Sequence, residues 1–224
     1  MSFNLNDLKF KQALLRIMSS YPIKGDPVLI NIRTDSTECN SFDDYTVLYC
    51  NGVFGYMSQC TCDPGLSPLK KPVNVNGTAI VMNGFYKGMW KLGYHKGQYK
   101  ALVQNKPVIV FRDSDKDNIL DYNFVMNNDE RVKNAKFEKG IAKLEIEDRE
   151  YIIERGMFGI NWHRAAVDRE VEKVNGWSAG CCVVKNAEDF DRQLSILEYV
   201  LKTTKKTEVD AIYIHESRIT NLIY

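Results

Sequence analysis

No uninterrupted apolar run in this 224-residue chain approaches the roughly 18 residues that a membrane-spanning helix needs, so membrane insertion is not expected. Charge of one sign is missing as well. With 30 Lys and Arg against 29 Asp and Glu, no net field favours a polyanion, and a nucleic-acid partner is not expected. The first twenty residues lack the apolar stretch of a secretion signal, because Asp7, Lys9, Lys11 and Arg16 interrupt it. They read as a short amphipathic helix (1–20) ahead of a single domain (21–224), in a protein expected to be made in the cytoplasm. Without a secretion signal, the six cysteines, Cys39, Cys50, Cys60, Cys62, Cys181 and Cys182, argue against a disulfide framework of the small secreted kind. Cys60-Thr61-Cys62 has one intervening residue where zinc knuckles have roughly two to four, and no second pair stands at a matching distance, which weighs against zinc.

What the chain has in quantity is short β-type runs: Val28 to Arg33, Tyr45 to Tyr49, Gly77 to Met82, Ala101 to Phe111, Ile141 to Ile146, Tyr151 to Ile153 and Phe158 to Trp162. Gly, Pro, Asn or Asp clusters stand at most of their boundaries, the pattern of a mainly β core. The first two runs flank the turn-forming residues Asp35-Ser36-Thr37, Asn40 and Asp43-Asp44, and read as neighbouring strands. One prominent helix stands near the C-terminus. Phe190, Leu194, Leu197 and Leu201 recur at spacings of four, three and four and line one face. Asn186 or Asp189 caps its start, the Lys202 to Lys206 region closes it, and Ala211 to His215 supplies a last strand.

The most informative stretch is Phe158 to Ala165 (FGINWHRA), followed by Trp177 to Val184 (WSAGCCVV). A thiol attacks only as thiolate, and a nearby imidazole can take its proton and hold it as an ion pair. His163 ends one strand-like run and Cys181 opens another, so pairing of the two would bring nucleophile and base together. Gly180 permits a sharp turn whose backbone N–H groups can face a developing oxyanion, and Ser178 can hydrogen-bond within that turn. Consecutive strand residues face opposite sides, so only one of Cys181 and Cys182 can face His163. The other packs. The plainer alternative is a strand histidine beside two small core cysteines.

Ser178-Ala179-Gly180-Cys181, fifteen positions after His163, resembles the catalytic domain of L,D-transpeptidases, whose pattern is a histidine followed after a near-fixed gap by Ser/Thr-His-Gly-Cys. The chain departs from it at Ala179, where the family often has a second histidine, and lacks the arginine frequent just after the cysteine. It is also similar to a phage and bacterial branch of these domains, through NSFDDY (40–45), TCDPG (61–65), GYHKGQYKALVQ (93–104), VFRDSDKD (110–117) and WSAGC (177–181). The resemblance implies a mainly β, sandwich- or barrel-like fold, Cys181 as nucleophile, His163 as base, a peptidoglycan stem peptide as substrate and no required cofactor. It further implies a phage product acting on the cell wall, in lysis or carried on a virion with other virion proteins. A structural or wall-binding virion module that keeps the fold without turnover is the second reading, favoured by Ala179.

Other residues invite weaker expectations. Trp177, Arg164 and His95 are candidates for substrate contact, with Lys96 beside His95 suited to a carboxylate, while Trp90 and Trp162 suit a core. Asp113, Asp115, Asp117 and Asp121 stand at relative positions 1, 3, 5 and 9, the oxygen-rich spacing of calcium loops. Asn118 replaces the usual glycine and Phe124 the usual glutamate, so a solvated polar turn is the alternative. His215 lacks a surrounding motif and reads as structural.

Overall fold

The computed structural model describes residues 3–25, 27–34, 39–114, 132, 134–146 and 148–223. The fold is mainly β. Its described elements are α1 (Leu8–Ser19), β1 (Val28–Arg33), β2 (Asp44–Cys50), β3 (Val53–Thr61), α2 (Leu66–Lys70), β4 (Thr78–Val81), β5 (Gly84–His95), β6 (Tyr99–Gln104), β7 (Val108–Asp113), β8 (Ile141–Ile146), β9 (Arg149–Gly156), β10 (Trp162–Arg164), β11 (Cys182–Val184), α3 (Ala187–Thr204), β12 (Val209–His215) and α4 (Ser217–Ile223). Eight strands close a barrel in the order β1-β12-β5-β6-β10-β11-β3-β2, and β4-β7-β9-β8 form a second, four-stranded sheet. Closure leaves the barrel no free edge. No helix among the described residues is long and apolar enough to cross a membrane.

Strand alternation sorts the core. Leu29, Leu48, Cys60, Cys62, Trp162, Cys182 and Tyr213 belong to the cluster inside the barrel, whereas Ile30, Ile32, Val47, Ile212 and Ile214 face outward. Helix α1 covers that outer face with Phe10, Ala13, Leu14, Ile17 and Met18, which is why all six residues of β1 are buried. In β4, Ala79 and Val81 join the barrel cluster while Ile80 turns to the far side of the second sheet. Helix α3 adds Phe190, Leu194, Leu197, Val200 and Leu201 to the barrel cluster, with Phe190 stacked on Trp162 at 4.7 Å. Its start is capped as expected: Asn186 Oδ1 accepts from the Glu188 and Asp189 amides at 2.8 and 3.3 Å. Lys205, in the left-handed conformation, ends it.

Several expected strands change shape. The run Ala101 to Phe111 divides into β6 and β7, which lie in different sheets, because Pro107 has no N–H to continue a ladder. The run Phe158 to Trp162 pairs only from Trp162 onward. Before it, Gln104 Oε1 accepts from the Phe158 and Ile160 amides at 2.9 and 3.0 Å, so a side chain replaces a strand partner. Strands β3 and β5 were not expected from the pattern. Glycines and exposed polar residues blur their alternation, and the ladders to β2, β6 and β12 hold them extended.

Candidate active site

Strands β10 and β11 run parallel, with Trp162 opposite Cys182 and His163 opposite Val183. Trp162 and Cys182 point into the barrel. One residue earlier, Cys181 turns the other way and packs beside Val183, Ala165 and Val174. The fold therefore chooses between the adjacent thiols by direction. Cys182 is 0% exposed and out of reach of a peptide, although it is the thiol held low, at about 6: burial pushes it up, and hydrogen bonds from Cys60 and Cys62 override burial. Cys181 keeps partial exposure, with its Sγ 3.4 Å from the donating Asn161 amide and 3.5 Å from the Gly159 carbonyl.

His163 is 1% exposed. Its Nδ1 lies 2.8 Å from the Arg164 carbonyl, which accepts a hydrogen bond and so places the ring proton on Nδ1. The Tyr99 hydroxyl donates to the same carbonyl at 3.1 Å and lies 3.2 Å from Nδ1. That leaves Nε2 as the bare lone pair, and it has no hydrogen-bond partner among the described residues. A buried, unpartnered imine nitrogen held in one tautomer is the equipment of a general base.

His95 stacks on His163 with ring centroids 3.9 Å apart. The Gln104 amide donates to Asn161 Oδ1 at 3.0 Å, which turns the Asn161 amide group so that Nδ2 donates to His95 Nδ1 at 3.1 Å. Burial, then repulsion from His95 and Lys96, holds His163 far below its ordinary value, at about 3, against the Arg164 carbonyl that favours its charged form. Burial pushes the Cys181 thiol up, opposed by the Asn161 amide. Both shifts oppose the expected thiolate–imidazolium ion pair and favour a neutral thiol beside a neutral imidazole, and no hydrogen bond joins the two.

The turn before Cys181 is locked through Ser178. This buried hydroxyl donates to the Cys181 carbonyl at 2.9 Å and accepts from the Gly180 amide at 3.1 Å. One expectation changes here. The Gly180 N–H is taken by Ser178, so it cannot also receive an oxyanion, whereas the neighbouring N–H of Cys181 bonds no described residue and remains open. Gly180 sits at φ +112°, and a Cβ there would lie 2.3 Å from the Ala79 carbonyl oxygen of β4. Gly180→Ala is therefore expected to cost about 2–3 kcal/mol of stability, read as a fall in the urea midpoint at unchanged slope. A variant as stable as the parent would mean the turn is not packed on β4.

The remaining candidates divide. Trp177 is 43% exposed near the turn and available for contact. Trp90 and Trp162 are core, the former donating to the Ile160 carbonyl at 2.9 Å. Arg164 is already engaged, 4.4 Å over the Tyr99 ring and 3.3 Å from Asp191. His215 accepts from the Ser217 amide at the start of α4, a structural role. Asp113 ends β7 and is buried, whereas Asp115, Asp117 and Asp121 of the expected calcium loop lie outside the described residues. Asn161 and Tyr99 escaped the sequence reading. Asn161 is two residues before His163 and so shares its face, and Tyr99 pairs with His95 across the β5–β6 hairpin.

A cavity of about 990 Å³, lined by Tyr21, Asn83, Arg155 and Arg218 among others, holds neither Cys181 nor His163. Volume and chemistry disagree, and the chemistry is the better guide, because that cavity lacks a paired nucleophile and base. Among the described residues, the three side chains that could share a metal ion are Cys60, Cys62 and Cys182. Comparison with protein-family models, with curated proteins and with solved structures finds no match to this chain.

Proposed function

We propose that this protein is a cysteine-dependent acyltransferase or peptidase acting on peptidoglycan stem peptides. The observation that supports this most is the imidazole of His163, its proton fixed on Nδ1 and its Nε2 bare and buried, on a strand paired with the one that begins just after Cys181. The resemblance to L,D-transpeptidases supplies the substrate class. In the resting state Cys181 is a thiol, so its proton moves to His163 Nε2 as Sγ attacks the peptide carbonyl carbon. Unbound sites commonly hold such pairs apart and tighten them on substrate. The carbonyl oxygen, now anionic, is received by the Cys181 N–H. Collapse breaks the C–N bond, the leaving amine takes the proton from His163, and a thioester remains on Cys181. Water then gives hydrolysis, and an amine gives cross-linking.

Incubation of the full chain with purified peptidoglycan fragments, followed by mass analysis, tests this reading. The expected result is a time-dependent product that has lost a residue or gained a cross-link, with an acyl adduct on Cys181. Binding of the fragments without any product would sink the catalytic reading and favour a wall-binding module of a virion.

A further inference from the structure

A second group of cysteines stands apart from this chemistry. Strands β3 and β11 are antiparallel with Val184 opposite Cys60 and Val183 opposite Thr61, so Cys182 comes opposite Cys62. Cys60 on β3 and Cys62 just past its end are two apart in an extended run and so point the same way. All three side chains are fully buried in the barrel cluster. The Sγ atoms of Cys62 and Cys182 are 3.9 Å apart, and all three sulfurs lie within 4.8 Å of one another.

The adjoining wall of β1, β2 and β12 is polar where a barrel interior is normally hydrocarbon. Asn31 on β1 pairs with Tyr213 on β12 and Thr46 on β2, so the three form one rung. Asn31 Oδ1 lies 3.4 Å from Cys182 Sγ. The Tyr213 hydroxyl is buried and has no hydrogen-bond partner among the described residues, a condition that costs about 1–3 kcal/mol when nothing offsets it. Arg33, also fully buried, donates to the Cys62 carbonyl at 3.2 Å and lies 5.1 Å over the Tyr213 ring.

We propose that Cys60, Cys62 and Cys182 bind one thiophilic divalent cation of the zinc class inside the barrel, with the Tyr213 hydroxyl as the candidate fourth donor. Zinc–sulfur bonds of about 2.3 Å place thiolates about 3.8–4.0 Å apart around the metal. The separation of Cys62 and Cys182 already has that value, and Cys60 needs a shift of under about 1 Å. Sulfur donors select zinc-like ions over calcium or magnesium. Binding releases to solvent whatever protons the three thiols still carry, and the resulting unit of one M²⁺ and three thiolates carries one negative charge beside the Arg33 guanidinium. The single-residue spacing of Cys60 and Cys62 weighed against zinc because the third ligand is 120 positions away from Cys62, and only barrel closure supplies it. The ion would tie β3 to β11 beneath the catalytic turn. This inference does not depend on the proposed activity.

The full chain, produced with added zinc and kept reduced, is analysed by metal mass spectrometry, then unfolded with chelator and refolded with Co²⁺. One zinc per chain is expected, together with thiolate-to-cobalt charge-transfer absorption and the visible bands of a tetrahedral site. Cys60→Ser, Cys62→Ser and Cys182→Ser should each weaken cobalt binding by more than about tenfold, and Cys39→Ser should not. Where a serine variant fails to fold, the parent chain decides, since its melting temperature should fall with chelator and recover with zinc. Substoichiometric metal with no cobalt bands, or a melting temperature indifferent to zinc, overturns the proposal. So does a Cys62–Cys182 disulfide in the purified protein.

Discussion

Cys181→Ala is expected to lower turnover of a peptidoglycan substrate by at least about 10⁴-fold, the scale on which removing a nucleophile acts when base and oxyanion donor remain. Stability should change by only about 1 kcal/mol, since the thiol is partly exposed and what is lost is one weak acceptor for the Asn161 amide. Cys182→Ala should behave in the opposite way, retaining activity per folded molecule while losing stability and one donor of the proposed metal site. The two residues are adjacent, so the contrast tests the direction of each side chain and not its neighbourhood. Steady-state rates beside urea midpoints for both variants are the measurement. Activity surviving in Cys181→Ala, or lost only in Cys182→Ala, would remove Cys181 from the mechanism.

The second large effect is a loss of stability in acid that originates at His163. Its folded-state value is depressed to about 3, mainly by burial and then by His95, against about 6.5 in an unfolded chain. A depressed folded value contributes stability that is present above the unfolded value and is lost as pH falls toward the folded one. The window is therefore pH 6.5 down to about 3. By pH 4.5 the loss should reach roughly 2–3 kcal/mol, because only the unfolded chain takes up the proton. Asp44 acts in the opposite sense: burial, then Asp63 and Cys62, raise it well above its ordinary value, so protonation favours the fold. His95 is lowered by burial and Lys96 and adds to the loss. Both are common to parent and variant, so the difference isolates His163. His163→Gln should have a visibly shallower dependence of urea stability on pH between 4.5 and 6.5, whatever its absolute stability. Parallel curves for parent and variant would show that His163 is accessible to protons in the folded state, and the neutral resting pair would no longer stand.

Much of the site could be read from residue order alone. The alternation of strand side chains required one of Cys181 and Cys182 to face away from His163, and Gly180 with Ser178 marked a tight turn whose hydroxyl bonds the structure contains. The apolar spacing from Phe190 to Leu201 marked α3, and Asn186 marked its start, because helix period and capping are local physics. The β1 and β2 runs announced themselves as neighbours through the turn residues between them.

What the sequence could not determine depends on residues far apart in the chain. Which cysteine faces His163 follows from the register of β10 on β11, and register is a property of the closed barrel. The shifts toward neutral forms arise first from burial of both groups, and for the imidazole also from His95, 68 positions before it and stacked on it, so that charge on His163 is both desolvated and repelled. The thiol cluster of Cys60, Cys62 and Cys182 exists only because β3 and β11 are hydrogen-bonded neighbours. Local spacing fixed the strands, the caps and the chemical types on offer. Barrel closure decided which of those groups meet, because pairing between distant strands and the burial it creates set both distance and protonation.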